Sequence, residues 1–266
     1  MTTSSQTWTE RKVTAAGSSL QLFQGGSGAP LLILHDEMGH PGWLRFHQAL
    51  AQNHTLHIPS HPGFGESDQL DWVMNLRDLA CWYLGALDDL GLERVPVLGF
   101  SLGGWLAAEM AAMCPQQFTK LVLVNAAGVR PPSGEIFDIY SVVAPSFLRT
   151  SVLDPANTPE FRHICPDEPS PDLLDQWDAA REASCRLSWR PYMHNPALPP
   201  VLPRLKRLPT LIVWGREDRI IPLSAGQAYH DSIPGSRLAV IDHCGHRPEI
   251  EQPDEFVRVV SDFLES

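Results

Sequence analysis

The sequence Gly99-Phe100-Ser101-Leu102-Gly103-Gly104 decides the fold. It follows a short apolar run at 94–98, which predicts a buried strand, and precedes an alanine-rich run at 105–112, which predicts a helix. Ser101 therefore lies on a sharp strand-to-helix turn, with its hydroxyl above a helix N-terminus that favours negative charge. The flanking glycines suit this turn, because a side chain there would collide where the helix doubles back. In this context the Gly-x-Ser-x-Gly pattern predicts a nucleophile; the alternative is a helix N-cap serine with packing glycines.

Outward from this turn, short apolar runs alternate with segments of helical spacing. The runs lie at 31–34, 55–58, 121–124, 211–214 and 237–241, and the helical segments at 43–52, 74–90, 223–233 and near the C-terminus, with Phe256, Val259, Val260 and Phe263 on one face. Two further strand-like runs around Gly17 predict an antiparallel hairpin at the sheet edge. The alternation predicts an α/β fold with a mostly parallel central sheet flanked by helices.

The alternation breaks at 129–206, which is rich in proline and aromatic residues. We interpret this segment as a helical cap inserted over the strand ends. The core then comprises residues 1–128 and 207–266, and the cap residues 129–206.

Composition limits the function classes. A net charge of −11 over 266 residues argues against nucleic acid or an anionic membrane as a partner. The polar N-terminus at 1–6 lacks the layout of a secretory signal, and five scattered cysteines without a C-x-x-C pair fit reduced thiols, so we expect a cytoplasmic protein. No Cys/His ligand spacing is present, so we expect neither metal nor cofactor. The expected partner is a small-molecule substrate, and the oligomeric state is not predicted.

A serine hydroxyl needs a base, and the base needs a group that orients it. Asp218 directly follows the predicted strand at 211–214, and His246 follows the one at 237–241. Each lies within three residues of a glycine. Ser101, Asp218 and His246 therefore occur in the Ser…Asp…His order of a hydrolytic triad.

Four motifs together resemble the α/β-hydrolase family over nearly all of the chain outside the cap. They are the strand-to-helix turn at 99–104 that carries Ser101, called the nucleophile elbow or elbow, the acid loop at 214–218 with Pro222, the histidine loop at 245–248 with Glu251, Pro253 and Phe256, and the loop at 59–68. The resemblance implies that Ser101 attacks a carbonyl carbon and that His246 takes its proton and returns it to the leaving group. Asp218 would hold the imidazole and stabilise its charged form.

The resemblance also implies two backbone donors for the oxyanion. One is Leu102 N–H, and the other comes from the loop after the 31–34 run, where we expect Glu37 N–H and next Met38 N–H. The usual His-Gly pair is here His35-Asp36. Because two carboxylates would oppose the developing charge, either the Asp36 and Glu37 side chains turn away or one handles a substrate group; we favour the first.

Other polar residues near these motifs have simpler interpretations. Glu217 is a less favoured alternative to Asp218 as the acid. We expect His243 to be structural, Cys244 to be a small buried hydrophobe, and His35 to be a hydrogen-bonded residue beneath the oxyanion loop.

Large side chains of the cap, of the loop after the 31–34 run and of the segment that follows the turn at 99–104 are candidates to line an apolar substrate pocket, although plain packing explains each as well. They are Met38, Trp105, Tyr140, Phe147, Trp177, Trp189, Tyr192 and Met193.

We expect a cofactor-independent serine hydrolase that cleaves a carboxylic ester through an acyl-enzyme. Dehalogenases and epoxide hydrolases of this fold use aspartate at the elbow, where Ser101 stands here. The first alternative is a carbon–carbon bond hydrolase of a ring-cleavage product, a group that typically has tryptophan after the catalytic histidine; Arg247 stands there instead. A thioesterase, a lactonase or a perhydrolase would use the same triad, and a non-catalytic ligand-binding protein is a remote alternative.

Overall fold

The computed structural model describes residues 8–266, so the polar N-terminal stretch lies outside the described residues. One eight-stranded sheet has the order β1-β2-β4-β3-β5-β6-β7-β8. Its strands are β1 (Trp8–Ala15), β2 (Ser18–Gly26), β3 (Ala29–Leu34), β4 (His54–Pro59), β5 (Val95–Phe100), β6 (Phe118–Val124), β7 (Thr210–Gly215) and β8 (Arg237–Ile241). The β1–β2 hairpin is antiparallel and lies at the edge, β2 pairs antiparallel with β4, and the pairs from β4 to β8 are parallel. The predicted fold class is confirmed.

Helices connect and cover the strands. They are α1 (Arg45–Leu50), α2 (Leu76–Asp89), α3 (Leu102–Met113), α4 (Ala144–Ser151), α5 (Phe161–Ile164), α6 (Pro171–Ser188), α7 (Leu223–Ser232), α8 (Pro248–Glu251) and α9 (Pro253–Glu265), with 3₁₀ turns at Pro115–Gln117 and Pro199–Leu205. The helix predicted from residue 74 begins at Leu76, because the Asn75 side chain accepts hydrogen bonds from the amides of Arg77 and Asp78, each at 2.9 Å. Helix α1 is shorter than the predicted 43–52, since Leu44 is still extended.

The central strands β3, β5, β6 and β7 are buried along most of their length, as their unbroken apolar runs predict. Since the carboxyl ends of parallel strands meet at one edge, the loops after β3, β5, β6, β7 and β8 converge there.

The 129–206 segment contains α4, α5 and α6, the last of which has 18 residues. It contacts the core through the main chain at the end of α4 and through a side chain near the end of α6. His246 N–H donates to Ser151 O at 2.7 Å, and Arg186 donates to Leu70 O and Asp71 O at 3.0 and 2.8 Å. The helices fit the expected cap, and its exact boundaries with the core stay a prediction. No helix of the described chain is long and apolar enough to cross a membrane.

Candidate active site

Ser101 stands alone between β5 and α3, in a backbone conformation that few residues adopt. Its φ and ψ are 45° and −110°, which stores strain at this turn. A Cβ on Gly99 would collide with Gly103 O, and one on Gly103 would collide with Leu34 O. The two glycines are therefore required by close backbone approach, and the turn presents the Ser101 hydroxyl at the carboxyl edge of the sheet.

Asp218 and His246 meet although they come from different loops. His246 Nδ1 lies 2.8 Å from Asp218 Oδ2, and both side chains are almost fully buried. Burial lowers the pKa of His246, but the charge and hydrogen bond of Asp218 raise it, and the pKa lies above its usual value. The carboxylate thus orients the imidazole and favours its charged form, as the base of an acyl-transfer site requires.

Three donors hold the Asp218 carboxylate. Oδ1 accepts from the amides of Ile220 and Ile221 at 2.8 and 3.0 Å, and Oδ2 accepts from Asn125 Nδ2 at 2.6 Å. Asn125 directly follows β6 and has φ of 44°, in the left-handed region that asparagine tolerates. Sequence reasoning missed this residue; its signal was a polar side chain at the carboxyl end of a buried strand adjacent to β7.

The hydrogen bond of Nδ1 to Asp218 leaves Nε2 of His246 with its lone pair free to accept a proton. Among the described side chains, neither Nε2 nor Ser101 Oγ has a hydrogen-bond partner, and both atoms are buried. No hydrogen bond therefore joins Ser101 Oγ to His246 Nε2, and in hydrolytic sites this bond often tightens only in the complex with substrate.

The loop after β3 carries the other expected oxyanion donor. Asp36 Oδ1 accepts from Met38 N–H at 2.8 Å, which occupies the amide that we ranked second. Within the described chain, no acceptor takes Glu37 N–H. Leu102 is the first residue of α3, so its amide has no acceptor inside the helix. Both amides of the expected pair are open, and their role as oxyanion donors stays a prediction.

His35 lies beneath this loop as expected. Its Nε2 accepts from His61 N–H at 2.9 Å, so Nδ1 carries the proton and donates to Asp36 O at 2.7 Å. Burial lowers the pKa of His35 to about 4, so the ring is neutral and serves the loop backbone.

The two acidic residues of the loop behave differently. Asp36 turns away from the nucleophile and pairs with Arg247, with Oδ2 2.8 Å from Nη1. Glu37 does not turn away: it is 1% exposed, and neither of its carboxyl oxygens has a hydrogen-bond partner in the described chain. Its electrostatic neighbours include Ser101 and His246, so the carboxyl faces the site.

Glu251 and the end of α4 shape the histidine loop. Glu251 accepts from the amides of Gly245 and Arg247 and from Leu153 N–H, at 2.7 to 3.1 Å. Arg247 is buried and donates from Nε to Ser151 Oγ at 3.0 Å. The loop that carries His246 is therefore fixed from both the core and the cap.

The structure separates the alternatives for the acid and the base. Glu217 accepts from Cys244 N–H at 3.0 Å and makes no contact with His246, so Asp218 is the residue placed to act. His243 is exposed, and only its carbonyl is engaged, by Gln252. Cys244 is fully buried, and burial raises the pKa of its thiol far above the usual value, so it is no thiolate nucleophile.

A cavity of about 260 Å³ lies between the loop after β3 and the cap helices. Of the candidate pocket residues, Met38 and Trp177 line it, together with Asp36, His163 and Arg247. The other candidates have different settings. Phe147 and Met193 are core residues, Trp105 donates to Glu109, Tyr140 bonds Ser188, Tyr192 donates to Phe137 O, and Trp189 is 47% exposed. Their role in substrate binding stays a prediction.

No group of three or more His, Cys, Asp or Glu residues within 8–266 is arranged to hold a metal ion.

Comparison with known proteins identifies the class to which this fold and site belong. The profile of the alpha/beta hydrolase family matches residues 31–259. The chain therefore belongs to the alpha/beta hydrolase family, and it is a hydrolase.

Two curated relatives and one solved structure are similar to the chain over most of its length. The chain is 31% identical to a 2-hydroxymuconate semialdehyde hydrolase of Pseudomonas sp. (strain CF600), over 96% of this chain and 93% of the relative. It is 32% identical to a 2-hydroxy-6-oxononadienedioate/2-hydroxy-6-oxononatrienedioate hydrolase of Pseudomonas putida, over 90% and 89%. Among solved structures, a meta-cleavage product hydrolase from Pseudomonas fluorescens shares the fold with a TM-score of 0.78 at 24% identity, over 96% and 97% of the two chains.

Proposed function

We propose that the protein is a serine hydrolase that cleaves a carbon–carbon bond beside a carbonyl group, in an open-chain product of aromatic-ring cleavage. The observation that carries this proposal is the similarity to 2-hydroxymuconate semialdehyde hydrolase over nearly the full length of both chains. It reverses the order of our sequence-based expectations, in which ester cleavage came first.

The site supports the proposed chemistry through three side chains. Ser101 Oγ adds to the carbonyl carbon, and its proton passes to Nε2 of His246, the lone pair of which is free. The carbonyl oxygen becomes an oxyanion between the amides of Leu102 and Glu37. Asp218, fixed by Asn125 and two backbone amides, stabilises the imidazolium that results.

The second half of the reaction breaks the carbon–carbon bond. Its electron pair goes to the chain carbon, which takes the proton from His246, and the carbonyl carbon stays on Ser101 as an acyl ester. Water, deprotonated by His246, then releases the acyl group as a carboxylic acid. The net change is addition of one water across the broken bond, so no oxidant, reductant or cofactor is consumed.

Ester cleavage is the second candidate, and Arg247 is the observation that favours it. This residue stands after His246, where the carbon–carbon hydrolases typically have tryptophan. Arg247 has no aromatic ring to pack against a conjugated substrate, and its guanidinium is bound to Asp36 and Ser151. The same three side chains would hydrolyse an ester without change.

Two substrates separate these candidates. Purified protein is given 2-hydroxy-6-oxo-2,4-heptadienoate or p-nitrophenyl acetate, and loss of the dienoate absorbance or release of nitrophenol is followed. We expect kcat/KM for the dienoate to exceed that for the ester by at least about tenfold, since the site would bind that transition state preferentially. Turnover of the ester without turnover of the dienoate would reverse the order of the candidates.

Ser101→Ala is the matched control for both reactions, because it removes one buried oxygen and no other contact. Dienoate loss that persists in this variant would show that the nucleophile is wrong, whichever substrate is preferred.

A further inference from the structure

Glu37 is a buried acid that the proposed reaction does not yet use. Its side chain is enclosed, and neither carboxyl oxygen accepts or donates a hydrogen bond within the described chain. Other buried polar atoms without partners near it include Ser101 Oγ and His246 Nε2, the reacting atoms themselves, and Arg247 Nη2. The Glu37 carboxyl and the two reacting atoms thus meet where a substrate carbonyl would bind.

Most of the positive charge nearby is paired with other groups, although Arg247 Nη2 has no hydrogen-bond partner within the described chain. Arg247 Nη1 lies 2.8 Å from Asp36 and 3.8 Å from Glu249, so it is shared between two other carboxylates. His246 is held by Asp218 and must be neutral to act as a base. A charged Glu37 would then be a buried carboxylate with no salt bridge within the described chain, which is unfavourable.

Burial and the charge of Asp36 raise the pKa of the Glu37 carboxyl, and His246, Arg247 and Ser101 oppose that rise less strongly. From the cap, the phenols of Tyr140 and Tyr192 lie within electrostatic range of the same carboxyl. Burial and the charge of Asp36 outweigh the groups that oppose them, so the neutral acid is favoured at Glu37.

We propose that Glu37 is a catalytic residue: its neutral carboxyl donates a hydrogen bond to the substrate carbonyl oxygen as that oxygen becomes the oxyanion. The donor supplements the backbone amides of Leu102 and of Glu37 itself. Glu37 keeps its proton throughout, so the proton balance of the reaction is unchanged. This inference rests on the proposed serine mechanism, because it needs an oxyanion formed by Ser101.

The role explains why an acidic residue is tolerated in an oxyanion loop. An ionised carboxylate would repel the oxyanion, whereas a neutral carboxyl is a donor in a dry site, where such donors act most strongly. Because Glu37 and His246 interact, they titrate as a pair, and the productive state has the single proton on Glu37.

Two variants test the proposal by their contrast. Glu37→Gln keeps a donor and loses the ionisation, and Glu37→Met keeps the volume and loses both. At pH 6–7 we expect Glu37→Gln to stay within about tenfold of the parent kcat and Glu37→Met to fall by about 10²-fold or more, the loss expected for an oxyanion donor. Equal activity of the two variants would overturn the proposal.

The pH profile gives a readout that a structural role would not move. As pH rises, ionisation of Glu37 removes the donor and adds a negative charge, so kcat/KM of the parent should fall on the alkaline side. That limb should be absent in Glu37→Gln, while the acid limb from His246 remains. Because burial raises the pKa of Glu249 to about 7, Glu249→Gln is the control, and it should keep the alkaline limb. An alkaline limb that persists in Glu37→Gln contradicts the inference.

A fluorophosphonate supplies a further test, because it phosphonylates an activated serine through a transition state with a developing oxyanion. Its inactivation rate needs no knowledge of the natural substrate. If the parent is not inactivated, or Ser101→Ala is modified equally, the serine mechanism itself fails. If the parent is inactivated and Glu37→Met reacts as fast as Glu37→Gln, only the role of Glu37 fails. Circular dichroism and thermal melting of each variant exclude a folding defect.

Discussion

Asp36 of the loop after β3 and Arg247 of the histidine loop form a buried ion pair, with Oδ2 and Nη1 2.8 Å apart. The pair joins the loop that carries the expected oxyanion donor to the loop that carries the base. It also removes one of two acidic side chains from the vicinity of Ser101 and leaves Glu37 as the carboxyl that faces the nucleophile. The pair therefore helps to fix the relative positions of the two loops.

Breaking the pair should destabilise the fold. Asp36→Asn and Arg247→Met should each lower the free energy of unfolding by about 3 kcal/mol, because each leaves a buried charge without its partner. The double variant should lose less than the sum, which urea denaturation of all four proteins would measure. The exposed Arg258–Asp262 pair is the control. The same double-mutant cycle on that pair should show a coupling energy below about 1 kcal/mol. Equal coupling in both cycles would contradict this account.

The proposed triad should act as a unit. Ser101→Ala, Asp218→Asn and His246→Ala should each lower kcat by about 10³-fold or more, and the double variants should lose little further activity. Single-turnover and steady-state rates on the substrate that the parent prefers would check this. Near-normal turnover by any one variant removes that residue from the mechanism.

Asn125 should act through the position of Asp218. Asn125→Gly suits the left-handed backbone at this residue and removes the 2.6 Å hydrogen bond, so kcat should fall by at least about tenfold, with little change in KM. Asn125→Asp should lose more, because two carboxylates would then repel each other. Kinetics of both variants beside thermal melts would separate lost orientation from lost stability; a change confined to KM is the contrary result.

The amide of Glu37 can be tested apart from its side chain. Glu37→Pro removes the N–H together with the carboxyl, so it is compared with Glu37→Met, which loses the carboxyl alone. Relative to Glu37→Met, turnover of every substrate should fall by a further factor of about 10². The measurement compares kcat on an aryl ester and on the dienoate, after circular dichroism has shown that the variant is folded. A folded variant with normal turnover would place the second donor elsewhere in the loop.

Buried neutral histidines should make the fold sensitive to acid. Burial lowers the pKa of His40 to about 3, below the value of about 6.5 expected in the unfolded chain, so unfolding takes up a proton at intermediate pH. The contribution of neutral His40 to the free energy of unfolding is complete above pH of about 6.5 and declines as pH falls toward 3. The His40 ring packs against Phe23, where a phenylalanine ring would also fit. In His40→Phe, the slope of unfolding free energy against pH should correspond to about one proton fewer taken up on unfolding between pH 4 and 6. Urea denaturation at several pH values measures the slope, and identical slopes would contradict the prediction.

The sheet and its loops were predictable because local signals agreed. Leu121–Val124 and Leu211–Trp214 are continuous apolar runs that only a sheet covered on both faces can bury, and their carboxyl ends fix where Asp218 must lie. The start of α6 also had a local signal, since Ser170 caps it and Pro171 opens it.

The orientation of the acidic side chains was not predictable in the same way. Whether Asp36 or Glu37 faces Ser101 depends on Arg247, which is distant in sequence and adjacent only in the folded chain. Asn125 and the cavity between loop and cap depend likewise on contacts between segments that no local pattern records.

The hydrogen bond from His246 N–H to Ser151 O has a consequence for how substrate enters. If α4 moved outward to open the cap, it would pull the His246 imidazole away from Asp218. The catalytic base would then lose its hydrogen bond just as substrate enters. We therefore expect helix α4 to stay in place when substrate enters. We expect substrate and product to pass on the side where α5 and α6 face the loop after β3, beside the cavity of about 260 Å³.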